Sequence, residues 1–454
     1  MTFTFIKNKL TNNKFVNDSF WSLIGSTIGR GLSLLSGIYI ARLLGKDIFG
    51  EYGIIKNTIL SIAMFSTFGL GYTATKFIAE YNKNSKEKIF PFIKYSYFIT
   101  FSFCAIISFL IFLNASYISS VILKAPHLRQ AIMLVAMMII INGLTTTQIG
   151  ILAGFGAFKI LAKINTIIGA ITFITSITFT YYFNFNGALL AIVLTQLINL
   201  ILNSINIKKL LLKDCIDNYD KNTIKKIIKF SFPIAMQEAV FAGTSWICSV
   251  LIIRYSSFGE LGMYNAAMQW NSLILFIPSI LRNVALSHLS ENIEDTTKHK
   301  KILNLNILLN LTITSFASLT VFCLSGIISN FYGSTFNGVQ YLISIAVLIT
   351  IFLSISNIYS QAYMSLGLNW TMFVIRLFRD GGQILLFIII INIHSLEGAK
   401  TMILCQLILS FFTLLFMSYF YNKRVQSLFS KNELKSNTSK SNFINLRKQK
   451  SESS

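Results

Sequence analysis

The chain alternates long apolar runs with short polar segments. Apolar runs occupy residues 20–44, 50–72, 92–114, 130–153, 161–183, 187–207, 232–254, 264–286, 303–329, 338–362, 370–392 and 398–421. A helix needs roughly 20 mostly apolar residues to cross the hydrocarbon core of a bilayer. Lipid offers no hydrogen bonds, so a crossing segment must satisfy its own backbone, and runs of this length read as helices rather than barrel strands. The pattern predicts an all-α integral membrane protein with about 12 transmembrane helices.

The polar segments set the expected orientation. With the N-terminus inside, the inner segments gather Lys7, Lys9 and Lys14, then Lys83, Lys86 and Lys88, then Lys159 and Lys163. The segment 208–231 adds Lys208, Lys209, Lys213, Lys221, Lys225, Lys226 and Lys229, and the tail after 422 is equally basic. Outer segments hold Lys46, Lys124, Arg129 and Arg254. Basic residues concentrate on the cytoplasmic side of membrane proteins, so both termini are expected in the cytoplasm. The expected organisation is a cytoplasmic segment 1–19, a six-helix bundle 20–207, a basic linker 208–231, a second six-helix bundle 232–421 and a disordered basic tail 422–454.

A repeat supports two halves. Arg42, Gly50 and Tyr52 follow the first run with the spacing Arg-x7-Gly-x-Tyr, and Arg254, Gly262 and Tyr264 follow the seventh with the same spacing. Gly31 and Gly243 keep the same offset of 212 residues. Six spans per half bring the chain back to its starting side, so the two bundles are expected to be parallel repeats.

Composition agrees. Of 454 residues, 54% are hydrophobic and only 12% charged, about half the charge of a soluble domain. The net charge of +22 lies between apolar runs rather than in a groove with interleaved aromatics, which argues against nucleic acid as a partner. The five cysteines form no CxxC, and all but Cys215 lie in apolar runs, so they read as small apolar residues. The N-terminus lacks the basic–apolar–small order of a cleaved signal, and the first span is expected to be its own membrane signal. No Walker loop, HExxH or nucleophile–base set occurs, and no cofactor or metal is expected.

Charges inside spans carry the sharpest signal, because each costs at least a few kcal/mol at mid-bilayer. Arg30 stands near the centre of the first run among Gly25, Gly29 and Gly31, too deep to reach either surface easily. The eleventh run holds Arg376, Arg379 and Asp380 before Gly381 and Gly382. Arg376 and Asp380 are four apart and are expected to pair, leaving Arg379 with spare positive charge. Structural ion pairing competes with a cavity role for each. Glu238, beside Gln237 in the seventh run, is a candidate for coupling to an ion, with a plain hydrogen bond at the span end as the alternative. Lys56 and Arg282 can extend their stems to a surface. Trp246 and Trp270 read as packing before sugar stacking, and Trp21 and Trp370 as interfacial anchors. Arginine presents a planar, permanently charged fork suited to phosphate oxygens, so a cationic cavity points to an anionic cargo.

The stretch Phe20–Tyr81 contains an apolar run with a central Arg30, then Ala41-Arg-Leu-Leu-Gly45, then Phe49-Gly-Glu-Tyr-Gly53. It resembles the Wzx-type polysaccharide flippases, within the superfamily of multidrug, oligosaccharidyl-lipid and polysaccharide exporters. The motif covers roughly 60 residues. The resemblance implies a V-shaped pair of six-helix bundles around a charged central cavity, and alternating access coupled to an ion gradient. It implies an undecaprenyl-pyrophosphate-linked oligosaccharide, such as an O-antigen unit, carried from the cytoplasmic to the outer face of the inner membrane. Membrane lipids, a polysaccharide polymerase and a chain-length regulator are the implied partners, and Arg30 matches the family's first-span cavity arginines. Two other readings compete: a multidrug or cation exporter of the same fold, which should line its cavity with acids, and a membrane-embedded polysaccharide polymerase, which should carry a sizeable outer domain.

Overall fold

The computed structural model describes residues 14–67, 69–211, 221–276, 278–279, 285–286, 289, 295–393 and 397–423. Among these no strand occurs. The principal helices, in chain order, are α1 Lys14–Ser66, α2 Leu70–Asn84, α3 Ile89–Leu113, α4 Arg129–Gly154, α5 Phe158–Leu210 and α6 Lys221–Tyr255. They continue with α7 Phe258–Ile274, α8 Thr296–Tyr332, α9 Val339–Ser365, α10 Asn369–Ile393 and α11 Gly398–Lys423.

Two helices of 53 residues cannot be single crossings, since each would be about 80 Å long in a 30 Å core. Each is interrupted once. In α1 the break is Gly45, at φ 73°, a left-handed conformation that glycine adopts without a Cβ penalty. The chain folds back there: Gly37 and Gly53, on either side of the break, both lie against α7, at Gln269 and Asn265 respectively. Those two α7 residues are one turn apart, whereas 16 residues of straight helix would separate the glycines by about 24 Å. In α5 the break is Asn184, at φ 49°. Gly187 then lies against the carbonyl of Phe179, so α5 also reverses. Tyr181, Tyr182 and Phe183 crowd this turn and are exposed, as aromatics at a membrane interface are.

Among the described residues, seven helices are long and apolar enough to cross a membrane. The first of two further segments, Thr27–Ser66, joins Leu70–Asn82 at a bend of 46°. The expected count of 12 is therefore not reached by length and composition alone. The reasons are local: α5 counts as one helix although it reverses, α7 ends at Ile274 before its apolar run does, and α10 carries three charges.

The surface is inside-out relative to a soluble protein. Phe316 is 77% exposed and Phe378 75%, amid many other exposed Leu, Ile and Phe, while Ser and Thr are buried between helices. In lipid, apolar side chains gain nothing by hiding, and close packing and interhelical hydroxyl bonds hold helices together. Thr100 Oγ1 meets Thr147 Oγ1 at 2.8 Å between α3 and α4, and Ser318 Oγ meets Thr350 Oγ1 at 2.8 Å between α8 and α9.

The chain separates into two compact units. Unit 1 comprises Met1–Leu273, Leu324–Ile343 and Ile384–Ile403, and unit 2 comprises Ile274–Cys323, Ser344–Gln383 and Leu404–Ser454. The division falls inside α8, α9, α10 and α11. In unit 1 the first half of α1 runs parallel to the first half of α5, with Gly25 on Ala162, Gly29 on Asn165 and Ser36 donating to the carbonyl of Thr172. The start of α6 is fastened to α2 by a 2.7 Å Thr73–Ser231 hydroxyl contact and by the Lys76 ammonium, 4.1 Å from the Phe230 ring centre. In unit 2, Tyr359, Tyr363 and Tyr421 cluster about His299, whose ring nitrogens meet Tyr421 Oη at 2.8 Å and Ser365 Oγ at 3.0 Å.

Candidate functional site

Unit 1 contains the repeat, and the structure brings its two copies together. A Cβ on Gly50 would lie on the carbonyl oxygen of Phe258, and a Cβ on Gly262 would lie 2.1 Å from the carbonyl oxygen of Lys46. Lys46 and Phe258 share the same 212-residue offset, so each glycine is bare where the other copy's backbone passes. The arginines are matched as well. Arg254 donates to the carbonyls of Val121 and Ile122 at 2.6 and 3.0 Å, while the stem of Arg42 packs on Gly333, the position equivalent to Val121.

Below this crossing lies a polar layer between α1, α6 and α7. Asn57 Nδ2 donates to Ser249 Oγ at 2.7 Å and to the Ser245 carbonyl at 3.3 Å, and its Oδ1 accepts from Ser61. Trp246 Nε1 donates to Thr58 Oγ1 at 2.9 Å, and Trp270 Nε1 to Tyr332 Oη at 3.0 Å. Both half-buried indoles are thus held by a hydrogen bond to a neighbouring helix.

Arg30 follows on the same α1 face. It is seven residues before Gly37, two turns less about 20°, so the two share a side of the helix. Gly37 and Ala41 on that side are buried, Gly37 beneath Gln269, while Arg30 is exposed. A Cβ added to neighbouring Gly31, or to its repeat equivalent Gly243, would meet no atom within 4 Å. The face that is closed at Gly37 is thus open about 10 Å further down, where the arginine stands. Glu238, also in unit 1, is half-buried at the first residue of the apolar stretch Glu238–Tyr255. Lys56 has an exposed side chain whose ammonium lies 5.9 Å from the ring of buried Tyr52.

Unit 2 holds the second charged group, and here one expectation is corrected. Arg379 is not left with spare charge: its Nε donates to Asp380 Oδ1 at 2.7 Å. Adjacent residues diverge by 100° on a helix, but the long guanidinium stem curls back to its neighbour. Asp380 is 5% exposed, and a buried carboxylate needs such a partner. With half-buried Arg376, the trio keeps one net positive charge. Arg282 and Trp21's side chain lie outside the described residues. Among the described residues, no group of three or more His, Cys, Asp or Glu comes together.

A family model described as "Polysaccharide biosynthesis protein" matches residues 15–287, more than half of the chain. The chain belongs to the polysaccharide biosynthesis protein family. No curated protein matches it, but solved structures do. An inward-facing multidrug resistance MATE family transporter of the MOP superfamily aligns at a TM-score of 0.75 with 13% identity, covering 89% of this chain and 96% of that one. The lipid II flippase MurJ, in an inward closed conformation, aligns at 0.71 with 17% identity, covering 88% and 86%. A MOP superfamily transporter from Pyrococcus furiosus, described as having a binding pocket of reverse polarity, aligns at 0.67 with 13% identity, covering 91% and 96%. At these identities the likeness fixes the fold, which is that of the MOP-superfamily transporters. This member of the polysaccharide biosynthesis protein family is a multi-pass membrane protein, with the fold that the MATE transporter and the lipid II flippase share.

Proposed function

We propose that the protein carries an undecaprenyl-pyrophosphate-linked oligosaccharide, an O-antigen unit or a related polysaccharide repeat, from the inner to the outer face of the cytoplasmic membrane. Arg30 is the observation that supports this reading best. It is a permanent cation at mid-helix, exposed on a face that closes two turns further along, in a family devoted to polysaccharide biosynthesis. A pyrophosphate is the group that such an arginine suits, since its fork donates two parallel hydrogen bonds to phosphate oxygens. The lipid tail can stay in the bilayer while the headgroup passes. Arg376 and Arg379, balanced in part by Asp380, are a second anion-binding candidate, and Glu238 is the candidate for coupling to an ion gradient.

The proposed topology has 12 crossings in two six-helix bundles joined by 208–231, with both termini in the cytoplasm. Its support is the concentration of lysine in the inner segments and the repeat. The cationic character of the charges inside the helices favours an anionic cargo over the drug or cation exporter of the same fold.

Deletion of the protein tests the reading. Lipid-linked repeat units should accumulate on the cytoplasmic face, and surface polysaccharide should disappear. Arg30→Ala should slow transport roughly 10- to 100-fold, the worth of a charge-assisted hydrogen-bond pair, and Arg30→Lys should recover only part of it. Normal transport by Arg30→Ala at normal protein level sinks the role of Arg30.

A further inference from the structure

Two amides of α7 each hold one polar atom that finds no partner in the packing around it. Asn265 aims its Nδ2 at bare Gly53, within 2.1 Å of where a Cβ would stand, and Gln269 aims its Oε1 at bare Gly37, within 2.4 Å of that position. Both atoms are fully enclosed and have no protein hydrogen-bond partner. The repeat supplies an internal control. Asn57 is the 212-residue equivalent of Gln269, and it is saturated by Ser61, Ser245 and Ser249. One copy of the position is therefore a structural amide, and the other holds its carbonyl oxygen against glycine with nothing to bond.

Helix packing alone does not account for this. A buried donor or acceptor left unmade destabilises its surroundings, and an apolar side chain of the same shape would fill the space without that cost. Leucine at 265 and methionine at 269 would rest on the same glycines. Polar atoms kept in such places have a use in a state where the contact is broken. The contact is between α7 and the two arms of α1, the same pair of segments whose backbones cross at Gly50 and Gly262. Parting that crossing uncovers both amides at once, in line with the Arg30 face. From the level of Arg30 to that of Gly37 is about 10 Å along the helix. A few sugar rings linked to a pyrophosphate at Arg30 span that distance.

We infer that Asn265 and Gln269 form a sugar-reading strip, covered by Gly53 and Gly37 when the crossing is closed and bonded to sugar hydroxyls when it opens. Neutral amides suit the task, because they both donate and accept, as a hydroxyl does, and they hold no charge that would trap the cargo. The strip rests on the proposed flippase function and goes beyond it, because it assigns recognition of the sugars, as distinct from the pyrophosphate, to named residues.

The experiment compares two probes with purified full-length protein in proteoliposomes: undecaprenyl pyrophosphate bearing the oligosaccharide unit, and the same lipid bearing a single sugar. Arrival at the far face is read with an impermeant lectin or glycosidase. Asn265→Leu and Gln269→Met preserve shape, and Asn265→Ala and Gln269→Ala provide a second pair should the first fold poorly. Each change should slow movement of the oligosaccharide lipid about fivefold, the worth of one neutral hydrogen bond, and the two together roughly 25-fold. The single-sugar lipid should change less than twofold, and the melting temperature of the shape-preserving variants should hold or rise. Equal loss on both lipids overturns the inference in favour of a role in closing the crossing, and so does loss on neither. Wild-type protein that moves neither lipid overturns the flippase reading itself, a separate outcome.

Discussion

One methyl group at Gly50 or Gly262 should pry the α1–α7 crossing open. The Cβ of an alanine at 262 would stand 2.1 Å from the Lys46 carbonyl, and that at 50 closer still to the Phe258 carbonyl. A carbon and an oxygen in ordinary contact are over 3 Å apart, so the helices must separate by about 1 Å. The obstacle is backbone on both sides, and no side chain can swing away. Overpacking of this kind costs about 1–3 kcal/mol, which corresponds to roughly five- to 150-fold in the equilibrium between closed and parted crossing. Because the two contacts are reciprocal, a single separation accommodates both methyls, and the double variant should lose less than the sum of the singles. The crossing can be read by a disulfide between Asp47→Cys and Gly259→Cys, since a Cβ at 259 would stand 2.4 Å from Asp47 Oδ1. Each single-cysteine variant controls for Cys323, which is exposed. Gly50→Ala and Gly262→Ala should each lower the cross-linked fraction. Full cross-linking in both, with unchanged melting temperature, would refute the close reciprocal packing.

Asp380→Asn should strand the Arg379 guanidinium among apolar neighbours and lower the melting temperature in detergent, at a cost of about 3 kcal/mol, while replacing both by leucine should restore much of the loss. Gly29→Ala should loosen the first arm of α1 from α5, because its Cβ would stand 2.6 Å from the Asn165 carbonyl, and proteolysis in detergent should speed up. Asp295 precedes α8 and accepts from the Lys298 N–H at 3.0 Å and from Thr297 Oγ1 at 2.6 Å, which hold its carboxyl down at about 2, chiefly through the backbone bond. A depressed carboxylate contributes stability above its unfolded value and loses it as pH falls through its folded value, so the protection of the Lys298 amide, taken relative to its intrinsic exchange rate at each pH, should fall as pH drops from about 4 towards 2, and Asp295→Ala should lack that protection already at about pH 4 and above.

Much of the fold could be read from the sequence. Apolar length gave the helices, since in lipid no other open structure satisfies a backbone. The repeat Arg42…Tyr52 and Arg254…Tyr264 marked equivalent turns, and its glycines prove to be where the two copies touch. The way helices are cut short was harder to read. Gly45 and Asn184 reverse the chain inside helices that run unbroken in hydrogen-bond pattern, and a single glycine or asparagine in an apolar run carries no such mark. The site was legible only where charge was involved. Arg30 stood out because a mid-span guanidinium is expensive, and the structure finds it exposed on a face that closes further along. The Arg379–Asp380 pair was not legible, because sequence spacing shows which residues share a helix face and not how far a long stem curls. Asn57, Asn265 and Gln269 were missed altogether. Neutral amides blend into an apolar run, and only their partners distinguish the saturated Asn57 from the idle Gln269. The 212-residue offset, applied beyond Gly50 and Gly262 to their neighbours, was the signal that could have found them.

The central claim is that this chain moves a pyrophosphate-linked sugar lipid through a path that includes Arg30. The direct measurement is the rate at which purified protein in proteoliposomes brings undecaprenyl-pyrophosphate-linked oligosaccharide to the far face, compared between wild type and Arg30→Ala. The account predicts transport well above that of protein-free vesicles for wild type and a roughly 10- to 100-fold lower rate for the variant. Wild-type vesicles no faster than protein-free ones, or equal rates for the two proteins, would contradict it.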